Sequence, residues 1–285
     1  MDSPDLRQGN NCRSAASTGG KACRGGRRGA SARLRLLLLG LAVTAFAAPA
    51  TAWKLPEGDC SDPKPLTQLR HCSFAGKKMA GIDLHGADLT RVDFGTADLS
   101  GCDLTGAVLR GANLKWANLS GCHMHRSDLT GADLFHTNLA RTDLGGADLV
   151  KTFMFGTELA EADAEDADFR GAFMKDVAME GGRFRRADFS GVYMLRAVIY
   201  GSDLRWARLA GVDLTGASAE EVDFSGSDLS GAKLRGATLI STRFIGANLD
   251  GADLSNATFE ATDFRGAINL PAALAARVGK TGRAD

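Results

Sequence analysis

The stretch that decides the fold is residues 72–91, which read Cys-Ser-Phe-Ala-Gly, Lys-Lys-Met-Ala-Gly, Ile-Asp-Leu-His-Gly, Ala-Asp-Leu-Thr-Arg. This five-residue frame continues without an insertion to Gly266, which gives 39 pentamers in 195 residues. The third position is Leu, Phe, Met or Ile in 37 pentamers, and the exceptions are Ala164 and Ala219. The first position is mostly small, the second is most often Asp or Asn, and the fifth is Gly in 22 pentamers.

A period of five fits neither regular secondary structure. Apolar residues five apart drift around a helix, and on a strand they alternate between the two faces. A frame that keeps every third position apolar therefore needs a corner in each pentamer. Glycine at the fifth position suits such corners because it accepts positive φ. The sequence predicts a coiling chain whose first and third positions face inward.

The frame resembles the pentapeptide-repeat family, whose pattern is A(D/N)LXX, and the resemblance covers residues 72–266. It implies an all-β fold, a right-handed quadrilateral β-helix with four pentamers in each coil and about ten coils in all. Charges twenty residues apart agree with that circuit. Asp163, Glu165 and Asp166 lie one coil before Arg183, Arg185 and Arg186, so three ion pairs between coils are expected.

The N-terminus has the features of a secretory signal. Basic residues precede an apolar run, residues 36–48, and the segment ends in Ala-Pro-Ala-Thr-Ala, so we expect residues 1–52 to be removed and Trp53 to become the N-terminus. A membrane anchor and an organellar presequence are the alternatives, and the run is short for a span. The protein is therefore expected in the periplasm or outside the cell, with an organellar lumen as the minor alternative.

Short caps are expected at both ends of the repeats. We assign residues 53–71 to an N-terminal cap with a short helix from Pro65 to Leu69, and residues 267–285 to a C-terminal cap with a helix from Pro271 to Val278. Export favours a disulfide between Cys60 and Cys72. Cys102 and Cys122 also stack twenty apart, and there we favour buried free thiols.

Composition and charge limit the function. The chain is 44% hydrophobic and 24% charged with 35 Gly, which excludes a disordered chain, a collagen and a multi-span membrane protein. Its net charge is zero, but residues 1–52 hold 8 basic and 2 acidic side chains, so residues 53–285 carry a net charge of −6. This balance gives no reason to expect nucleic-acid binding or membrane binding after signal cleavage.

Few residues suggest chemistry. His123 and His125 lie near Asp103 and Asp143 on neighbouring coils and could hold a metal weakly, but we interpret them as solvated surface residues. The rows of Asp belong to the repeat frame, and an unbroken frame leaves no loop for catalytic residues. We therefore predict no enzyme, no cofactor and no metal.

One face departs from the frame. Among the pentamers centred on residues 74, 94, 114 and onward by twenty, the outward second position changes from polar to aromatic at Phe153, Phe173 and Tyr193. Other apolar residues are expected on the same face, with His136 at one of its corners; they are Trp116, Phe135, Phe155 and Leu195. Exposed aromatic patches are typical of partner-binding surfaces, whereas the plainer alternative is an aromatic column that only stabilises neighbouring strands.

The predicted function is a non-enzymatic exported scaffold that binds an unknown protein, or a second copy of itself, through this patch. The alternative is a DNA mimic that inhibits an enzyme such as gyrase, because the quinolone-resistance proteins resemble this frame. The export signal and the mixed charge disfavour that alternative.

Overall fold

The computed structural model describes residues 54–278 and 282–284. The predicted signal peptide, residues 1–52, lies outside the described residues, as does Trp53. From Ser73 onward, each second-position residue forms a parallel bridge with the residue twenty further along, as Ser73 does with Asp93. The series continues to the bridge between Asn248 and Ile268. The predicted circuit of four five-residue sides is thereby confirmed.

Backbone hydrogen bonds account for the register. The second-position N–H donates to a carbonyl on the preceding coil, and the third- and fifth-position N–H groups donate to carbonyls on the next one; Asp98 donates to Lys77, for example, and Leu99 to Asn118. In most corners the first-position N–H donates to the third-position carbonyl three residues earlier, as Cys72 does to Leu69. Within the described coils, the fourth-position N–H has no backbone acceptor in any pentamer, whereas the N–H groups of the other positions have one in most pentamers.

The second-position side chain supplies the missing acceptor. An Asp or Asn Oδ1 accepts the N–H two residues later, as Asp93 does from Gly95 at 2.9 Å and Asp148 does from Val150 at 3.0 Å. This is the Asx turn, which these two residue types make readily. The Asp and Asn of the repeat are therefore structural, and their recurrence is no sign of acid–base chemistry.

All fifth positions take the left-handed conformation that a type II turn requires at its third residue. Glycine does so at Gly191, with φ of 67°, but 17 of the 39 corners are formed by other residues, such as Arg186 at 57°. Each non-glycine corner costs about 1–2 kcal/mol, so those side chains are retained against a local penalty.

First- and third-position side chains fill the interior as predicted. Leu84, Leu104 and Met154, for example, are fully buried. At the first position of one coil, Gly182 replaces the usual larger residue, and a Cβ there would lie 2.5 Å from the Phe184 ring. Phe184 follows the small third-position residue Ala164 by one coil, so a large ring and two small residues fill the interior together.

The N-terminal cap differs from the prediction. Residues 65–69 form a turn and a bridge, and the expected helix is absent. Gln68 pairs in parallel with both Glu57 and Asp88, and Leu69 is buried, so the repeat register begins one pentamer earlier than the sequence frame suggests. The sequence of that pentamer, Thr-Gln-Leu-Arg-His, lacks the Asp and Gly that mark the frame.

The regular helix and strands of the described chain lie in the last pentamer and the C-terminal cap. Strand β1, Thr262–Asp263, pairs antiparallel with β2, Arg283–Ala284, and between them lies helix α1, Ala272–Val278, near its predicted position. Leu274 and Val278 of α1 are buried. Among the described residues, no helix has the length and apolar character needed to cross a bilayer.

Two disulfides join parts of the structure. Cys60 bonds to Cys72 with a Cα separation of 5.4 Å and ties the N-terminal cap to the first coil. Cys102 and Cys122 are also bonded, so the expectation of free thiols was wrong. Their inward first positions on successive coils bring the Cα atoms to 4.5 Å, which is within the disulfide range.

The Asx turn can be tested at Asp148, whose carboxylate makes no ion pair within 4 Å in the described structure. Asp148→Ala should lower the free energy of unfolding by about 0.5–1.5 kcal/mol, because the Val150 N–H loses its acceptor. Asp148→Asn keeps an Oδ1 acceptor and should be close to the wild type. Equal urea midpoints for the Ala and Asn variants would show that the hydrogen bond contributes nothing.

Candidate protein-binding surface

The column predicted at the second position forms a stack of rings. Centroids of Phe153 and Phe173 lie 5.2 Å apart with planes 3° from parallel, and Phe173 and Tyr193 are also 5.2 Å apart at 16°. The spacing follows from the bridges that pair these residues on successive coils. Because the ring faces cover one another, the ring edges are what the column presents to solvent.

A second stack lies beside it. Phe135 and Phe155, both at fourth positions, stack at 5.5 Å, and Phe135 also lies 6.2 Å from Phe153, which connects the two stacks. At the corner, Trp116 stacks on His136 at 4.4 Å and meets the Phe135 ring edge-on at 5.5 Å. The six predicted aromatic residues therefore form one continuous network.

We call this surface the aromatic face, and it comprises Trp116, Phe135, His136, Phe153, Phe155, Phe173, Tyr193 and Leu195. Leu195 continues the fourth-position column after Phe155 and Lys175, and it is partly buried. Lys175, which the aromatic pattern did not predict, also lies on this face, and its Nζ is 5.5 Å from the centre of the Phe155 ring. Its place between Phe155 and Leu195 in steps of twenty could have revealed it.

The aromatic face remains open to solvent. Trp116 is 57% exposed and Phe153 is 39% exposed, whereas the residues between them are partly buried against one another. Beneath the second-position column, Met154, Met174 and Met194 are buried in the core. Methionine side chains are apolar and pack adaptably. The rings of the column therefore lie above an apolar layer of the core.

The Asx turn is absent where the second-position residue is aromatic. On the same face, Gly95, Phe135 and Thr215 each donate their N–H to an Asp Oδ1 two residues earlier. Phe153, Phe173 and Tyr193 have no such acceptor, which gives up about 0.5–1.5 kcal/mol in each coil. Ring stacking returns about 0.5–1.5 kcal/mol for each pair, so the exchange leaves stability nearly unchanged and exposes apolar surface to water.

Ion pairs border the aromatic face. Lys115 Nζ lies 2.9 Å from Asp133 Oδ2 before the rings, and Lys233 lies 3.5 Å from Asp213 beyond them. At its edge, the Arg196 guanidinium donates to both Asp176 oxygens at 2.7 Å, and this hydrogen bonding lowers the pKa of Asp176. The rim is thus polar with neutralised charges, an arrangement common around protein-binding patches.

The predicted ion pairs between coils are mostly present. Arg183 pairs with Asp163, and Arg186 donates to Asp166 and also contacts Glu165. Arg185 does not pair with Glu165 as predicted. It reaches Asp203 eighteen residues later, the same diagonal that Arg70 and Arg110 make to Asp88 and Asp128. A fourth-position side chain points from the corner towards the next coil. A prediction that pairs residues only at a spacing of twenty does not take this direction into account.

The candidate metal residues of the sequence analysis do not converge. His125 Nδ1 lies 3.9 Å from Asp143 Oδ1, and His123 is exposed on the same coil. Among the described residues, neither histidine belongs to a group of three donors within reach of one ion.

Comparison with known proteins identifies the family. The family model "Pentapeptide repeats (8 copies)" matches the chain over residues 67–106, 97–135, 137–176, 202–239 and 232–268. The chain belongs to the pentapeptide-repeat family. Its fold is accordingly the right-handed quadrilateral β-helix, and proteins of this family are typically structural or interaction proteins rather than enzymes.

Several solved structures are similar. HetL, a pentapeptide repeat protein involved in heterocyst differentiation regulation in the cyanobacterium Nostoc sp. strain PCC 7120, is 30% identical, with 70% of this chain and 88% of HetL covered and a TM-score of 0.39. Full-length QnrB1, a plasmid-mediated fluoroquinolone resistance protein, is 20% identical over 66% of this chain and 91% of its own, with a TM-score of 0.38. A thylakoid-lumen protein of Arabidopsis thaliana is 28% identical over 36% and 69%, with a TM-score of 0.25. No curated protein sequence matches the chain.

The hydrogen-bonded carboxylates predict a response to acid. Hydrogen bonds from the hydroxyl and the N–H of Ser100 hold the pKa of Asp98 below its usual 3.8, and Ser255 does the same for the pKa of Asp253. Because the folded-state pKa values are depressed, the stabilisation is complete above about pH 4 and is lost as the pH falls through those values. The urea midpoint should therefore be lower at pH 3 than at pH 5. Asp98→Asn, which keeps the acceptor but cannot titrate, should reduce the difference, and equal midpoints at both pH values would contradict this account.

Proposed function

We propose that this protein is an exported, non-enzymatic solenoid of about ten coils that binds another protein, or a second copy of itself, through the aromatic face. The observation that carries the proposal is the continuous network of rings from Trp116 to Tyr193, in a frame whose outward second positions are otherwise mainly polar. Folding alone does not require it, since an Asp at the same position would complete the Asx turn. Aromatic side chains are the usual anchors of protein interfaces.

The stacked geometry favours a protein over a flat ring ligand. The ring faces of Phe153 and Phe173 are covered by their neighbours, so they offer no platform for a nucleobase or a sugar. Ring edges and a neutralised polar rim instead suit an apolar protein surface, which can be that of a second copy of this chain or of another protein.

The acidic side chains give little support to DNA mimicry. Many of them lie against guanidinium groups, as Asp163, Asp166 and Asp176 do, and paired carboxylates imitate phosphate charge poorly.

The test replaces Phe153, Phe173 and Tyr193 together by Asp. Since Asp is the usual second-position residue of the frame, the variant should fold with an unchanged circular dichroism spectrum. In sedimentation experiments, the wild-type protein, alone and mixed with the fraction of exported proteins from the cell, should form an associated species. The triple variant should not form this species. The control is Trp206→Asn, which removes a 54% exposed ring at a left-handed corner of the opposite face and should keep the species. Identical sedimentation of wild type and triple variant would refute the proposal.

Export rests on the pattern in residues 1–52, which lie outside the described part of the chain. Expression of the full chain in a Gram-negative host should yield a periplasmic product that begins at Trp53. Mass spectrometry of the fractionated protein measures this N-terminus directly. A cytoplasmic product that retains residues 1–52 would show that the segment is no cleaved signal.

A further inference from the structure

A cluster of three metal-binding side chains lies on the first complete coils, away from the aromatic face. Asp83 and Asp103 occupy second positions on successive coils and pair in parallel register. The His85 ring folds back so that Nδ1 lies 2.8 Å from Asp83 Oδ1, and the His85 N–H donates to the same oxygen at 3.1 Å. One donor atom from each of the three residues lies within 4.8 Å of the other two.

The distances suit one metal ion. Donors at about 2.0–2.2 Å from a tetrahedral zinc ion lie about 3.5 Å from each other. The His85–Asp83 separation of 2.8 Å and the upper limit of 4.8 Å on the other donor separations lie on either side of that value. One imidazole and two carboxylates form a donor set that zinc accepts, and the partial exposure of His85 and Asp103 leaves room for a water ligand.

The charges supply a second, independent observation. Of the five other carboxylates in the described part of this second-position column, four have an arginine within ion-pair distance, and Asp143 has only His125 there; the four are Asp163, Asp203, Asp223 and Asp263. In the described structure Asp83 has only His85 within that distance, and Asp103 has no charged partner there. Two carboxylates that face each other across a bridge repel, and a bound dication removes that repulsion.

We propose that Asp83, His85 and Asp103 form a Zn²⁺-binding site. His123 and His125, the pair that stands out in the sequence, are not part of it, because His125 lies against Asp143 instead. The backbone geometry decides between these histidines. The corner at His85 directs its ring towards Asp83, which lies beside Asp103 on the next coil.

The experiment is calorimetric titration of zinc alone into the oxidised mature chain, residues 53–285, without an affinity tag. The wild type should bind one zinc ion. His85→Ala and the double variant Asp83→Asn, Asp103→Asn should each lose about tenfold or more in affinity, since even outer partners of metal ligands contribute that much. The Asn residues keep the Asx acceptors, so the double variant should remain folded. His125→Ala removes an imidazole from the same face and should bind zinc as the wild type does.

Thermal unfolding gives the second readout: zinc should raise the melting temperature of the wild type and of His125→Ala but not of His85→Ala. His71→Ala tests the other donor cluster, Cys60, His71 and Cys72, whose sulfurs are already bonded to each other. Absence of binding by the wild type at millimolar zinc would overturn the proposal, and so would equal losses in His85→Ala and His125→Ala. The triple Asp variant of the aromatic face should bind zinc normally, so the two proposals fail separately.

Discussion

The fold depends on the pairing of backbone N–H groups around a twenty-residue circuit. In most pentamers, bonds to the two neighbouring coils and across the corner satisfy the first, second, third and fifth positions, and the fourth needs a side-chain acceptor. A buried or crowded N–H without a partner is costly. This constraint explains why the second position is most often Asp or Asn and why the fifth adopts positive φ. It also fixes residues twenty apart as neighbours.

The aromatic face shows what this constraint permits. Because one acceptor in each pentamer comes from a side chain, that contribution can be exchanged without loss of the circuit. Phe153, Phe173 and Tyr193 make the exchange on three successive coils, and ring stacking replaces the lost hydrogen bonds with a similar energy. Stability is therefore nearly indifferent to the change, whereas the solvent-facing chemistry changes completely. An outer column can thus acquire a binding function without cost to the core beneath it.

Most of the fold could be predicted because the period of five admits few structures. The circuit of twenty and the inward positions follow from the frame, and so does the contact among the rings that are separated by steps of twenty; helix α1 follows from the separate segment that begins at Pro271. The pairing of Arg185 with Asp203 and the start of the register at Thr67 could not be predicted in this way. The first depends on the direction in which a side chain leaves the corner. The second depends on backbone pairing in a pentamer that lacks the usual residues. The placement of His85 against Asp83 belongs to the same class, since it lies within one pentamer and leaves no mark at a spacing of twenty.

The absence of insertions between residues 72 and 266 has a physical explanation beyond core packing. Corners face solvent, and loops at surface corners are generally tolerated, so burial alone does not forbid them here. A loop at a corner would, however, lie over the outer faces of adjacent coils and interrupt the columns that run across them. The stack of rings from Phe135 to Tyr193 and the facing carboxylates of Asp83 and Asp103 both require uninterrupted columns. An unbroken frame is therefore consistent with the two binding sites that we propose on the outer columns.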